Sequence, residues 1–158
     1  MIEIVRAGAE RIDDVGPLWA SLAEHHGEVG AHLGRIRAPD DTWPRRRKFY
    51  EGLLAKRRAF FLIAERDDRP VGYAMVSRSQ PSQTWQIEQT AVLDTLAVLP
   101  GERGGGIGSA LLDRAREQLR RDGVTHLGIS VLAVNEDAIR FYRRHGFEVA
   151  FLEMLGRP

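Results

Sequence analysis

Cysteine is absent from all 158 residues of the chain. That excludes disulfides, thiolate metal sites and a cysteine nucleophile. It also fits a cytoplasmic protein. No charged-then-apolar leader opens the sequence, and no apolar run approaches the ~20 residues of a membrane span, so no membrane partner is expected. A strong excess of either charge is missing too: 23 Lys and Arg against 22 Asp and Glu leave a net +1. Nothing in that balance favours nucleic acid or a membrane surface. Lysine is scarce, with Lys48 and Lys56 set among many arginines. Repeats and low-complexity linkers are also lacking. The length suits one domain with a proper core, over residues 1–158.

The elements can be read from periodicity. Met1–Arg6 alternates Ile2 and Ile4 with Glu3 and predicts a first strand. Asp13 or Asp14 can cap a helix with Val15, Leu18, Trp19 and Leu22 on one face. His25–Asp41 has no clear period and reads as a loop. Helix resumes near Thr42, with Phe49, Leu53 and Leu54 inward and a basic outer face of Arg45, Arg46, Arg47, Lys48, Lys56, Arg57 and Arg58. Phe60–Glu65 and Val71–Ser77 form a hairpin about Asp67-Asp68-Arg69-Pro70. Gln86–Leu99 predicts a long strand with a bulge, Ile107–Arg121 a helix stopped by Asp122-Gly123, and Leu127–Leu132 a strand. Asn135–His145 is then a helix, and Phe147–Leu155 a last strand. The order β-α-α-β-β-β-α-β-α-β describes an α/β domain with a mixed sheet.

One stretch carries chemistry: Leu93–Leu112, LDTLAVLPGERGGGIGSALL. An apolar strand end, Leu96-Ala97-Val98-Leu99, is stopped by Pro100 and followed by glycines at the mouth of a helix. The first N–H groups of a helix have no partner within it. Gly104, Gly105, Gly106 and Gly108 let such groups fold around an anion, and the helix dipole favours negative charge there. A pyrophosphate fits this arrangement. Gly108 is followed by Ser109 without a lysine, so this is no Walker loop. The next apolar run, Gly128-Ile129-Ser130-Val131-Leu132, ends without the acid of a dinucleotide fold. That argues against a nucleotide-dependent oxidoreductase.

Arg103-Gly104-Gly105-Gly106-Ile107-Gly108 resembles the Arg/Gln-x-x-Gly-x-Gly/Ala signature of GCN5-related N-acetyltransferases (GNAT). Asn135-Glu136-Asp137-Ala138, then Phe141-Tyr142 and Gly146-Phe147, resembles the family's second block. The resemblance is sharp over about 93–147 and implies a mixed central sheet with splayed central strands flanked by helices. It implies acetyl-CoA as co-substrate and a small-molecule or peptide amine as acceptor, with no metal. In that family the pantetheine arm enters between strands matching Leu93–Leu99 and Leu127–Leu132. Leu96, Ala97 and Val98 would pair with it through their backbone. Arg103, Gly104, Gly105, Gly106, Ile107, Gly108 and Ser109 would hold the pyrophosphate, with Asn135 and Ala138 beside the pantetheine. Tyr142 would protonate the leaving thiolate, while Phe141 belongs to the core. Asp94 is the first choice of base for the amine, and Glu88 the second. The family carries two strands after its last helix, but about a dozen residues remain here. An uncovered sheet edge is therefore expected, and with it a homodimer.

His25, His26 and His32 match no standard metal spacing and are expected to line the acceptor side. The basic helix face reads as solvated. A second reading of the whole chain is a protein of this fold that binds acyl-CoA without turnover.

Overall fold

The computed structural model describes residues 1–56 and 58–158, and Arg57 of the expected basic face lies outside the described residues. Five strands form one sheet in the order β1-β2-β3-β4-β5. They are β1 (Glu3–Ala7), β2 (Phe60–Arg66), β3 (Arg69–Arg78), β4 (Thr90–Val98) and β5 (His126–Ile129). The first three junctions are antiparallel, and β4 with β5 is parallel. Helices α1 (Gly16–Val29) and α2 (Pro39–Lys56) supply the core on one face of the sheet, including Leu18, Tyr50 and Leu53. Helices α3 (Ile107–Arg121) and α4 (Glu136–Arg144) cover the other. From α3, Ile107, Leu111, Leu112, Ala115 and Leu119 are all buried, a stripe at helical spacing. Each fully buried leucine in it is worth about 1.5–3 kcal/mol of transfer free energy. Among the described residues no helix is long and apolar enough to cross a membrane.

Several expectations need correction. Neither Asp13 nor Asp14 caps α1 with its side chain. A 3-10 segment, Ala9–Val15, runs directly into the helix, and the Gly16 N–H donates to the Asp13 carbonyl. The preceding turn thus supplies the acceptor a cap would have provided. The expected loop at His25–Asp41 is largely helical: α1 runs on to Val29, a 3-10 turn covers Ala31–Leu33, and α2 starts at Pro39. Trp19, Ala23 and His26 continue the inward face of α1, but alanine and histidine hide that period from an apolar count. On α2 it is Tyr50 and Leu53 that are buried, while Phe49 is 46% exposed. The hydroxyl of Tyr50 disguised an inward position. The long strand begins at Thr90, leaving Glu88 exposed in the segment before it. Phe147–Leu155 forms no strand: it has no ladder partner, and Val149, Phe151, Leu152, Met154 and Leu155 are exposed.

The hairpin between β2 and β3 closes with Arg66 opposite Arg69, so Asp67 and Asp68 alone make the turn. Both lie at positive φ, 49° and 59°. That is the type I′ geometry matched to strand twist, and glycine adopts it without the side-chain penalty. Asp68→Gly should therefore raise unfolding free energy by about 0.5–1 kcal/mol, read as a higher urea midpoint at unchanged slope.

Candidate active site

The site begins at a fault in β4. Opposite β3, Met75 pairs with Thr95 and Val76 with Leu93, which leaves Asp94 as the extra residue of a bulge. The bulge reverses the strand's phase. Before it, Ala91 and Leu93 face α3 and α4; after it, Leu96 and Val98 do. Thr95 and Ala97 turn toward α1 and α2.

Pairing with β5 ends at the same place. The parallel ladder runs from Thr90 opposite His126 to Leu93 opposite Ile129 and goes no further, although β4 continues to Val98. A gap opens beside residues 94–98. Leu99 donates its N–H to Val71 on β3. Strand alternation then turns the polar groups of Val98 and Leu96 into the gap. Leu96 and Val98 are two of the three backbone positions expected to meet a pantetheine; the third, Ala97, pairs with Tyr73 on β3 instead.

The gap leads to the glycine loop. After β4 a 3-10 turn spans Pro100–Glu102, and Gly104 and Gly106 take φ of 84° and 80°. Gly106 is the N-cap of α3 in a left-handed conformation, with no side-chain cap. The first N–H groups of α3 have no partner within the helix. The helix mouth is thus a row of backbone donors at the positive end of a dipole. Arg103 stands beside it, its Nε donating to the Val98 carbonyl at 3.1 Å. Ile107 is buried and Ser109 half-buried in the first turn of α3. Two glycines let this end of α3 sit close. A Cβ on Gly72 would lie 2.9 Å from the Ala97 carbonyl and 3.3 Å from Ile107. A Cβ on Gly108 would touch the Phe141 ring at 3.5 Å.

Helix α4 supplies the next groups. Asn135 is its N-cap, its Oδ1 accepting from the Ala138 N–H at 3.2 Å. Tyr142 packs edge-on against Phe141 and Phe147, with ring centroids 5.1 and 5.5 Å away. Burial pushes its hydroxyl up to about pKa 12. Tyr142 therefore stays protonated at all ordinary pH, which is the state a proton donor needs.

The opposite face of the sheet carries Asp94. Ser77 on β3 donates its hydroxyl to Asp94 at 2.6 Å. Below, Tyr50 is hydrogen-bonded to Thr95 at 2.5 Å and to Tyr73 at 2.9 Å. Burial raises both tyrosines above their ordinary range. Sequence reasoning missed Ser77, Tyr50, Tyr73 and Thr95; the one signal was hydroxyl residues inside otherwise apolar runs. His26 stands edge-on to Trp19, and His25 lies 3.8 Å from Glu28. Glu88 is separated from Asp94 by the start of β4 and is not among the groups at the bulge.

Comparison with known proteins agrees with this geometry. The profile of the acetyltransferase (GNAT) family matches residues 20–147. The chain belongs to the GNAT family. Streptothricin acetyltransferase of Streptomyces lavendulae is 36% identical over 73% of this chain and 57% of its own length. A mycothiol acetyltransferase of Brachybacterium faecium is 35% identical over 56% of this chain and 26% of its own. The chain thus spans about half, or less, of these curated relatives. A Bacillus halodurans protein superposes with TM-score 0.79 at 20% identity, covering 99% of both chains. The aminoglycoside N-acetyltransferase AAC(6')-Iy, solved with CoA, superposes with TM-score 0.75 at 18% identity, covering 100% of this chain and 95% of that one. These likenesses establish the fold.

Asn135 has a structural duty that can be measured alone. Asn135→Ala should cost about 1 kcal/mol of stability through the lost cap, whereas Asn135→Asp, an equally good cap, should stay near wild type in urea denaturation.

Proposed function

We propose that residues 1–158 act as one cytoplasmic acetyltransferase domain that moves the acetyl group of acetyl-CoA to a primary amine. The observation that supports this most is the coincidence at Asp94: the sheet opens there, and the opening runs to the donors of the α3 mouth. A diphosphate held by the backbone of residues 104–109, with Arg103 beside it, leads a pantetheine along Leu96–Val98. Asn135, whose cap uses one oxygen, has its amide N–H groups left to donate, beside Ala138.

The reaction is direct attack in a ternary complex. The amine nitrogen forms a bond to the thioester carbonyl carbon, and a β4 N–H in the gap stabilises the developing oxyanion. The C–S bond then breaks. The proton lost by the amine passes to Asp94, directly or through water, and Tyr142 protonates the departing sulfur. The relatives' names span an antibiotic, mycothiol and a ribosomal protein alanine, so they leave the acceptor open. A homodimer is proposed from the edge position of β5 and the exposed apolar side chains of 149–155.

Gly106→Glu should abolish CoA binding in isothermal titration, because it puts a carboxylate where the phosphates sit. Its folding should suffer by about 1 kcal/mol, the usual cost of a side chain at left-handed φ. Wild-type affinity in that variant would sink the phosphate site. Tyr142→Phe should lower kcat by roughly 10- to 100-fold, a modest share for an acid because a thiol near pKa ~8.5 already leaves well. Its CoA affinity should be unchanged. Below about pH 10 the wild-type rate should show no alkaline limb from this residue, since Tyr142 titrates only near 12. Tight CoA binding with no acetyl transfer to any amine would instead identify a non-catalytic binding module.

A further inference from the structure

Helix α2 carries a row of arginines, and one is set differently from its neighbours. Arg37, just before the helix, and Arg45 pair with Asp41 at 3.0 and 2.8 Å, and Arg47 pairs with Asp13 and Glu51 at 3.0 and 2.5 Å. Those side chains lie on the solvated face. Arg46 turns the other way. Its guanidinium stacks over the Trp19 ring at 3.9 Å and also lies over Phe49 and Tyr50, at 5.2 and 5.6 Å. Trp19 itself is only 6% exposed. The Arg46 guanidinium thus lies between a ring of α1 and a ring of α2, at the edge of the layer those helices form on the sheet.

This placement needs a reason. A partly buried guanidinium costs desolvation, and leucine or methionine would pack against Trp19 without that cost. Stacking uses only the flat faces of the group. It fixes the plane and leaves the N–H edge to lie where a planar or tetrahedral oxyanion accepts two parallel hydrogen bonds. Across Tyr50 stands the opposite charge. Tyr50 bonds to Thr95, which adjoins Asp94. Arg46 and Asp94 thus flank the Tyr50–Thr95 pair, one suited to an anion and the other to an ammonium.

We propose that Arg46 is a specificity-determining residue, and that the acceptor is an amine carrying an acidic group, carboxylate or phosphate, close to its nitrogen. This rests on the acetyl-transfer reading above and names its acceptor class. The amine is presented to Asp94 while Arg46 holds the anion. The guanidinium of Arg46 puts a positive charge there that disfavours polycations.

The test is an acceptor panel with acetyl-CoA saturating: glycine and β-alanine against glycinamide, O-phosphoethanolamine against ethanolamine, and spermidine as a polycation. The acidic members should exceed their neutral partners at least tenfold in kcat/KM. Which acid is better, carboxylate or phosphate, identifies the source of the anion. Arg46→Gln should raise KM for acidic acceptors about tenfold or more and leave neutral ones and the KM of acetyl-CoA unchanged. Arg46→Lys, which keeps the charge but not the fork, should recover part of the loss. Near-ultraviolet dichroism of Trp19 checks that packing survives in both variants. Transfer to spermidine or ethanolamine in preference to the acidic amines overturns the inference while leaving acetyl transfer intact, as does an equal loss for acidic and neutral acceptors in Arg46→Gln. Absence of transfer to every amine overturns the acetyl-transfer reading, and the inference with it.

Discussion

One extra residue in one strand governs this structure. Asp94 has no opposite number on β3, and the consequences propagate in both directions along β4. Upstream, Ala91 and Leu93 press into the α3–α4 core while the main chain pairs with β5. Downstream, the phase has flipped, and the pairing with β5 has stopped. Had the strand continued in phase, Leu96 and Val98 would face α1 and α2, with Thr95 and Ala97 turned to the other layer. The bulge therefore does three things at once. It opens the sheet, turns backbone donors into the opening, and puts a carboxylate at its edge.

The opening would be of little use without a helix end aimed at it. That aim depends on close approach. Gly72 has no side chain where the Ala97 carbonyl and Ile107 crowd in, and Gly108 has none where Phe141 packs. A beta carbon on Gly108 would only touch the Phe141 ring; one on Gly72 would clash with the β4 main chain and press Ile107 outward, moving α3 off the sheet. The dipole and the donors of residues 104–109 would then point elsewhere. Glycines 104 and 106 serve differently: space around them is open, and what they supply is positive φ.

Much of this was legible in the sequence, and the misses have physical causes. Helix α3 runs over the predicted Ile107–Arg121, because its apolar stripe is strong and both ends carry glycine. The hairpin was equally plain. The bulge was expected, but its site and its phase flip were not. Residues 91, 93, 95 and 97 are all buried, so the strand looks like simple alternation although its two halves face opposite layers. Helix α1 was cut short because Ala23 and His26 carry its inward face without strong hydrophobicity. The terminal segment shows the converse. Phe147, Val149 and Phe151 alternate as a strand should, yet a strand forms only where a neighbour offers its edge.

The buried hydroxyls explain how the two faces of the site are held in register. Tyr50, Tyr73 and Thr95 are at most 5% exposed, and burying three hydroxyls would be costly if any went unpaired. None does: Tyr50 binds both of the others. The three come from α2, β3 and β4, so the cluster ties the helix that carries Arg46 to the residue next to the bulge. Phenylalanine and valine would fill the same space and satisfy no directional demand, leaving α2 free to slide along the sheet. A hydrogen-bonded cluster fixes one position, because any shift breaks a short bond in a medium where water cannot replace it. Ser77 does for Asp94 what Thr95 does for Tyr50, and it does so from β3, the strand against which the bulge is defined. The face that carries Asp94 is thereby keyed to the same irregularity that opens the sheet.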